Sequence, residues 1–331
     1  MTRTTTISGQ STRRTLCAAL ALVASALVSP QASAQAWPQR PVTFIVPFAA
    51  GTATDVMARF IAENLTKSHG MTVVIDNRPG ASASIGASAV ARAASDGYTI
   101  LVGSSTTHAA NAALFTKLSY DPVKDFKPIT LLGYVPQVMM VNAQSPIRTI
   151  DEFIAHAKTN RGKINYAQGS SGNLLPAEIL NRRKDLGMTM VSYKSPPQAM
   201  QDLLGNQVDM MFGDLSVSIA NIQGNKLRPL AVTSKAPHPL LPNVAPLANT
   251  IEGFELTTWM AMFAPAGTPD QIVGRLRSAV HAALADPATA TRISDAGMRV
   301  QVSTGPELGA YVESETRKWA GYVKEAQVQP Q

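Results

Sequence analysis

Short apolar runs alternate along most of the chain with stretches whose apolar residues recur at helical spacing. Val42 to Val46 is a run of the kind that a parallel sheet buries on both faces. From Asp55 onward, apolar residues recur every three or four positions, as they do in an amphipathic helix. Because strand patterns and helix patterns follow each other in this way, the sequence favours an α/β protein built from mainly parallel sheets flanked by helices.

The same alternation predicts the later elements. The predicted strands are Thr72 to Asp76, Tyr98 to Gly103, Lys163 to Ala167, Thr189 to Tyr193, Val208 to Phe212 and Leu227 to Thr233. Predicted helices cover Ser84 to Ala94, His108 to Phe115 and Pro306 to Val323, and others begin at about Leu174, Pro196 and Pro269.

The chain is interpreted as crossing between two domains twice, and the two stretches around Pro136 together form the first crossing. Ile129 to Gly133 and Gln137 to Val141 are strand-like on either side of Pro136, and Thr257 to Ala264 is a second crossing strand. Two crossings imply that the chain returns to the domain in which it began. We therefore expect a discontinuous domain 1, residues 35–136 and 257–331, around a continuous domain 2, residues 137–256, with a ligand cleft between them.

The loops that follow the predicted strands share an unusual composition. They are rich in Gly, Ser, Thr and Ala after the strands that end near Val46, Gly103, Ala167, Tyr193 and Phe212. Ligands of open parallel sheets sit beyond the carboxyl ends of the strands, and helix N-termini there attract anions. We expect these loops to hold a small anion against an apolar wall that includes Phe48. Asp55 suits a helix start, whereas Asp214 is either a turn residue or an acceptor for a ligand hydroxyl, amine or amide.

Residues 1–34 have the pattern of an export signal. Arg13 and Arg14 precede the apolar run Leu16 to Val28, and Ala32-Ser33-Ala34 is a cleavage signal, so we expect cleavage near Ala34. The arginine pair raises twin-arginine export, but ordinary secretion fits better because no consensus follows it. Cys17 lies within this segment, and residues 35–331 contain no cysteine. Disulfides, thiol catalysis and cysteine metal sites are therefore excluded for the mature protein.

Charge and motifs argue against several kinds of function. The net charge of +7 falls to +4 without the three arginines of residues 1–34, and Arg182-Arg183-Lys184 is the longest basic run, so nucleic-acid binding is not expected. The histidines show no metal-ligand spacing, and no nucleotide motif is present, so we expect neither a metal nor a cofactor. G-x-S-x-G is absent, and no acid stands in an obvious position to orient His108. An exported serine-dependent hydrolase or transferase that uses the Ser/Thr-rich loops is the alternative to a binding protein.

Several motifs, in order along the chain, resemble those of one family. They are Trp37-Pro38-Gln39-Arg40-Pro41-Val42 with the residues to Asp55, Asn77-Arg78-Pro79-Gly80, Asp96-Gly97-Tyr98-Thr99, Tyr120-Asp121-Pro122 with Lys124-Asp125-Phe126, and Ala264-Pro265-Ala266-Gly267-Thr268-Pro269. The chain resembles the Bug receptors, the substrate-binding proteins of tripartite tricarboxylate transporters. This resemblance implies a monomeric periplasmic binding protein with a type II-like fold, two domains and two crossover strands. It also implies that a small organic carboxylate is the ligand and that a membrane permease, or a sensor kinase, is the partner.

The resemblance also implies which residues contact the ligand. In the first domain they are Phe48, Gly51, Thr52, Ala53, Ser105, Thr106 and Thr107, and in the second domain Ser170, Ser171, Ser195 and Asp214. The chain departs from the family pattern at Thr52 and Ala53, where glycines are usual, at Leu174, where histidine is common, and at Gly213, where an acid is more frequent. Most departures lie on the second-domain side, so the resemblance implies carboxylate binding without identifying the carboxylate.

Overall fold

A computed structural model describes residues 1, 2, 4 and 37–330. The chain divides into two units, Met1–Gln39 and Arg40–Gln331. The described residues of the first unit form no helix or strand, and the predicted export signal, residues 1–34, lies almost entirely outside the described residues. The second unit contains every element that follows.

Ten strands of the second unit join into one mixed sheet. They are β1 (Val42–Val46), β2 (Val73–Asn77), β3 (Thr99–Ser104), β4 (Phe126–Asn142), β5 (Asn165–Gln168), β6 (Thr189–Ser192), β7 (Met210–Asp214), β8 (Leu227–Val232), β9 (Thr257–Pro265) and β10 (Arg299–Val300). The strand order is β2-β1-β3-β9-β4-β7-β5-β6, and β8 and β10 also pair with β4. Strand β1 is parallel to both β2 and β3, and β5 is parallel to both β6 and β7. Every pair that includes β4 is antiparallel.

Helices follow most strands, as the pattern predicts. They are α1 (Ala53–His69), α2 (Ser84–Ala91), α3 (Asn111–Leu114), α4 (Ile150–Thr159), α5 (Ser171–Arg183), α6 (Pro196–Leu204), α7 (Leu215–Gln223), α8 (Asp270–Ala285), α9 (Pro287–Asp295) and α10 (Gly305–Glu325). A π-helical turn, Thr106–Ala110, precedes α3 and replaces the start of the helix predicted from His108. A 3₁₀ turn covers Leu247–Asn249.

Strand β4 belongs to both halves of the sheet. Its residues Phe126–Pro136 pair with β9, whereas Gln137–Asn142 pair with β7 and β8. We call β1, β2, β3, β9, β10 and residues Phe126–Pro136 of β4 the first half of the sheet. The second half consists of β5, β6, β7, β8 and residues Gln137–Asn142 of β4.

The two strand-like stretches predicted on either side of Pro136 belong to one strand, since β4 runs unbroken for 17 residues. Pro136 lies at the last position of the pairing with β9, just before the pairing with β7 and β8 begins. A proline that lacks its N–H is tolerated at such a change of partner, as Pro128 is beside an irregularity in register.

One hydrophobic cluster extends through both halves. It includes Ile45 of β1 and Leu101 of β3 in the first half, and Phe153 of α4 and Phe212 of β7 in the second. Trp259 of β9 and Trp319 of α10 are among the largest fully buried side chains. Within the described residues, no helix combines the length and the apolar character that a bilayer crossing requires.

Glu315 fixes α10 against β9. Its carboxylate Oε2 accepts hydrogen bonds from Trp259 Nε1 at 3.1 Å and from Trp319 Nε1 at 3.0 Å, and the residue is buried. Two indole donors therefore depend on a single carboxylate oxygen.

We expect Glu315→Leu to lower the free energy of unfolding by about 2 to 4 kcal/mol, because it leaves two buried N–H donors without an acceptor. Glu315→Gln keeps one acceptor oxygen and should lose less. Urea unfolding followed by far-UV circular dichroism measures both changes. Glu313→Leu, at an exposed position two residues earlier on the same helix, is the control. Equal losses in the variants at positions 313 and 315 would contradict this role of Glu315.

Candidate ligand cavity

The loops after β1, β2, β3, β5 and β6 meet around a cavity of about 590 Å³. The first half contributes Pro47–Ala49, Pro79–Ala83, Thr106, Leu114 and Phe115. The second half contributes Gln168–Ser171, Leu174 and Tyr193–Pro196, and Val328 and Gln329 follow α10. The loops lie at the carboxyl ends of parallel strands, where ligands of open α/β sheets bind.

Asp55 holds the loop between β1 and α1. Its carboxylate accepts hydrogen bonds from Gly51 N, Arg59 Nε and Asn77 Nδ2, each at 2.9 Å. The same Asn77 amide donates to Phe48 O at 3.0 Å, so β2 also supports the loop. Burial raises the pKa of the Asp55 carboxyl, but hydrogen bonds from Arg59, Gly51 and Asn77 outweigh burial and hold that pKa below its usual value. The role of Asp55 is therefore to fix the loop that carries Phe48.

A strained turn forms the part of the cavity wall that follows β2. Ala81, Ser82 and Ala83 have left-handed φ values of 45°, 49° and 69°. Three successive non-glycine residues in this region are unfavourable and persist only where their surroundings fix them. Buried Asn111 provides one such contact, since its Nδ2 donates to Ser82 O at 2.8 Å. Gly86 allows α2 to approach the first loop, because a Cβ there would lie 2.7 Å from Pro47 Cβ.

A hydrogen bond connects the Ser/Thr segment after β3 to the second half. Thr106 Oγ1 and Ser171 Oγ lie 2.9 Å apart, and both residues line the cavity. Thr107 has a different role, because its hydroxyl donates to Ser104 O and accepts from Ser104 N within the turn. Ser105 is fully buried, and its hydroxyl has no hydrogen-bond partner among the described residues.

His108 is part of the core. Its ring stacks on Phe263 with centroids 3.6 Å apart, and Nδ1 lies 2.9 Å from Thr107 Oγ1. Burial lowers the pKa of His108 to about 3, so the ring is neutral at physiological pH. Its Nε2 has no partner among the described residues, and no carboxylate is among the described contacts of the ring. The arrangement lacks the acid that orients the histidine of a catalytic triad.

The two loops of the second half touch each other at Gly169. A Cβ on this residue would lie 2.5 Å from Ser195 C and 2.6 Å from Pro196 N, so only glycine permits the approach. The loop after β5 is further held by Asn173, whose Oδ1 accepts a hydrogen bond from Ser170 Oγ at 3.0 Å. Ser170 and Ser195 are thus brought to the same side of the cavity.

A polar network lies where β4 changes partners. Gln137 Nε2 donates to Asp214 Oδ1 and, at 3.0 Å, to Thr258 Oγ1, and Asn173 Nδ2 donates to Gln137 Oε1 at 3.1 Å. Asp214 is half-buried, and burial raises the pKa of its carboxyl to about 6, although hydrogen bonds from Gln137 and Thr258 act in the opposite direction. Gln137 therefore links Asp214 of the second half to Thr258 of the first half.

The structure brings five of the predicted contact residues to the cavity wall: Phe48, Thr106, Ser170, Ser171 and Ser195. The other six are absent from the wall. Thr52, Ala53, Ser105 and Thr107 are buried, Gly51 is exposed beside Asp55, and Asp214 belongs to the network of Gln137. Whether any of the eleven contacts a ligand stays a prediction.

Sequence reasoning missed several cavity residues. They are the strained turn Ala81–Ala83, Leu114, Phe115, Leu174, Lys194 and Val328. The tetrad Tyr193-Lys194-Ser195-Pro196 carried a usable signal, because it follows a strand and precedes a helix that begins with proline. Val328 carried none, since its place depends on how the residues after α10 lie across the cavity.

Comparison with known proteins gives consistent results. The model of the tripartite tricarboxylate transporter family receptor, TctC, matches residues 57–328. Protein BugT of Bordetella pertussis is 33% identical over 310 residues, covering 92% of this chain and 94% of BugT.

Three solved structures have the same fold. Rpa4515 of R. palustris with adipate is 31% identical with a TM-score of 0.86, covering 89% of this chain and 100% of the other. The periplasmic binding protein BugD is 35% identical with a TM-score of 0.85 and the same coverage. MatC (Rpa3494) from Rhodopseudomonas palustris with bound malate is 32% identical with a TM-score of 0.79, covering 87% of this chain and 100% of the other.

The raised pKa of Asp214 predicts a pH-dependent stability. Its pKa rises from 3.8 in the unfolded chain to about 6 in the folded one, so the folded state holds the proton more tightly. The resulting stabilisation is complete below pH 3.8 and is lost as the pH rises through about 6. We expect Asp214→Asn, which cannot ionise, to become more stable relative to the wild type by roughly 1 to 2 kcal/mol between pH 4 and pH 7.

Urea unfolding at several pH values between 4 and 7 provides the measurement. Asp295→Asn, at an exposed carboxyl, is the matched control and should show no such trend. Parallel stability curves for the wild type and Asp214→Asn would show that Asp214 does not titrate in this range.

Proposed function

Because the chain belongs to the tripartite tricarboxylate transporter receptor family, we propose that it binds a small organic carboxylate in the cavity and delivers it to a tripartite tricarboxylate-type membrane permease. The observation that carries the proposal is the convergence of hydroxyl-bearing loops from both halves on one cavity, with Thr106 and Ser171 in hydrogen-bond contact. The bound adipate and malate of the two similar structures support a carboxylate as the ligand.

The charges around the cavity suit an anion. No aspartate or glutamate lines it, and Lys194 is the charged side chain among its described lining residues. Micromolar binding requires about 8 kcal/mol. A helix N-terminus contributes roughly 0.3 to 2 kcal/mol toward a bound carboxylate, and a hydrogen bond that involves a charged group contributes about 1.5 to 3 kcal/mol. Several donors and Lys194 together therefore reach the required range.

The two halves of the sheet act, in this proposal, as two lobes around the ligand. The first lobe comprises residues 35–136 and 257–331, and the second comprises residues 137–256. Their boundary follows the change of partner in β4 between Pro136 and Gln137. In this proposal, Thr106 of the first lobe contacts the acid group of the ligand. Ser170, Ser171 and Ser195 contact it from the second lobe.

Residues 1–34 act as the export signal in this proposal, and the mature protein is a periplasmic monomer. Its partners are the carboxylate and the membrane subunits of the transporter, or a sensor kinase. Export is supported by the arginine pair, the apolar run and the A-x-A site. The periplasmic binding protein BugD, which has the same fold, supports the location.

The receptor releases its ligand chemically unchanged. The alternative of a serine-dependent hydrolase or transferase requires a general base for one of the cavity hydroxyls. His108 is the nearest histidine in sequence to Thr106, but it is enclosed in the core and stacked on Phe263. Incubation with each bound acid, followed by NMR of the recovered acid, tests this point, because any conversion would favour the enzyme.

We expect at least one carboxylate from a panel of di- and tricarboxylates, aromatic acids and acidic amino acids to raise the melting temperature, because a ligand that binds the native state stabilises it. Thr106→Val should lower the affinity for that carboxylate by roughly 10- to 100-fold, since it removes a hydrogen bond to a charged group. Calorimetric titration gives the affinities.

Thr159→Val, at an exposed helical position away from the cavity, is the matched control and should bind as the wild type does. An undiminished affinity of Thr106→Val would remove this hydroxyl from the site. A panel in which no acid shifts the melting temperature would contradict the proposed function itself.

A further inference from the structure

Four apolar side chains line the cavity and also belong to the hydrophobic cluster of the core or pack against it, and they define what we call the apolar wall: Leu114, Phe115, Leu174 and Val328. Leu114 belongs to the hydrophobic cluster of the core, and the other three pack against that cluster while remaining half-buried. Half-buried apolar groups that face a cavity gain free energy when a second apolar surface covers them. The wall therefore favours a ligand with an apolar part.

The apolar wall is assembled from separate parts of the chain, and Arg182 connects two of them. Arg182 lies on α5, the helix that carries Leu174, and its guanidinium donates to Ala326 O and, from Nη1, to Gln327 Oε1 at 2.8 Å. Val328 N donates in turn to Val323 O at 3.2 Å. These contacts place Val328 beside the cavity and keep it there.

Polar groups also line the cavity. Thr106, Ser170, Ser171 and Ser195 supply hydroxyls, and Lys194 supplies the positive charge. Tyr193 adds aromatic surface, since its hydroxyl is engaged by Asp202 Oδ2 at 2.7 Å. The cavity thus has donors for one acid group and an apolar wall for the remainder of the ligand.

We propose that the cavity selects carboxylates whose acid group is attached to an apolar chain or ring, in preference to short polar diacids. The inference rests on the proposed function and specifies its ligand class. Family membership does not decide the matter, because the two similar structures contain adipate, with an apolar chain, and malate, which is short and polar. The deciding feature is the apolar wall of this chain.

Calorimetric titration of the wild-type protein with butyrate, pentanoate and hexanoate tests the wall directly. Each added methylene that is buried should tighten binding about three- to fourfold. Benzoate and hexanoate should each bind at least tenfold more tightly than malate and succinate. Hexanamide and benzamide, which keep the apolar part but lack the acid, should bind at least tenfold more weakly than their acids.

The outcomes separate this inference from the proposed function. Tighter binding of malate or succinate than of hexanoate and benzoate, or equal affinities along the chain-length series, overturns the inference and leaves a carboxylate receptor. Amides that bind as well as the acids, or a panel in which no acid binds, overturns the proposed function.

Two variants locate the effect in the apolar wall. Leu174→Ser and Val328→Ser should each reduce the gain per methylene to less than twofold, while butyrate binds nearly as it does to the wild type. Val302→Ser replaces an exposed apolar side chain that does not line the cavity, and it should keep the full gain. A full gain in both wall variants would overturn the assignment of the wall. Circular dichroism confirms that each variant is folded before titration.

Discussion

The pairing of β4 with different strands at its two ends determines the rest of the structure. A single strand of 17 residues joins β9 through Phe126–Pro136 and β7 and β8 through Gln137–Asn142. Because the backbone of this strand is continuous, the loops of the first half and those of the second half arrive at the same cavity. Gln137, the first residue after the change of partner, connects Asp214, Thr258 and Asn173 through its amide. A misplaced β4 would separate the hydroxyl groups of Thr106 and Ser171.

Hydrogen bonds from residues behind the cavity hold the loops that form it, and other side chains line it. Asp55 and Asn77 fix the first loop, Asn111 supports the strained turn, and Asn173 holds the loop of Ser170. These four residues contact the backbone of the loops, and none of them is among the lining residues of the cavity. The side chains that line it include hydroxyls, one lysine and the apolar wall. This division keeps the hydrogen-bond donors in place, while the other lining side chains determine which ligands fit the cavity.

Much of the fold could be predicted from the sequence, because strand and helix patterns of ordinary length alternate along it. The α/β fold of periplasmic binding proteins is confirmed by the similar solved structures. The continuity of β4 was missed because Pro136 is a local signal against a strand, whereas its tolerance depends on which strand lies opposite. The π-helical turn at Thr106–Ala110 was likewise not predicted, since the hydroxyl of Thr107 bonds within the turn only after the segment has folded.

The site was predicted less completely, for a related reason. Hydroxyl-rich loops after strands pointed to the loops of the cavity, and the family resemblance pointed to Thr106, Ser170, Ser171 and Ser195 within them. Sequence could not separate hydroxyls that face the cavity from those that bond inward, as Thr107 does, because adjacent residues of a turn point in different directions. Leu174 was noted only as a departure from the family pattern and Val328 not at all, because long-range packing brings the two side chains to the cavity.

Gly169 limits how this scaffold diversifies. Any side chain there would collide with the backbone at Ser195 and Pro196, so the distance between the two loops is held nearly constant among descendants that keep this glycine. New ligand preferences then have to arise by exchange of side chains at positions such as 174, 194 and 328, where a substitution alters the lining without moving the main chain. Ligand preference would thus change through many small changes of the lining while the two loops stay at the same distance.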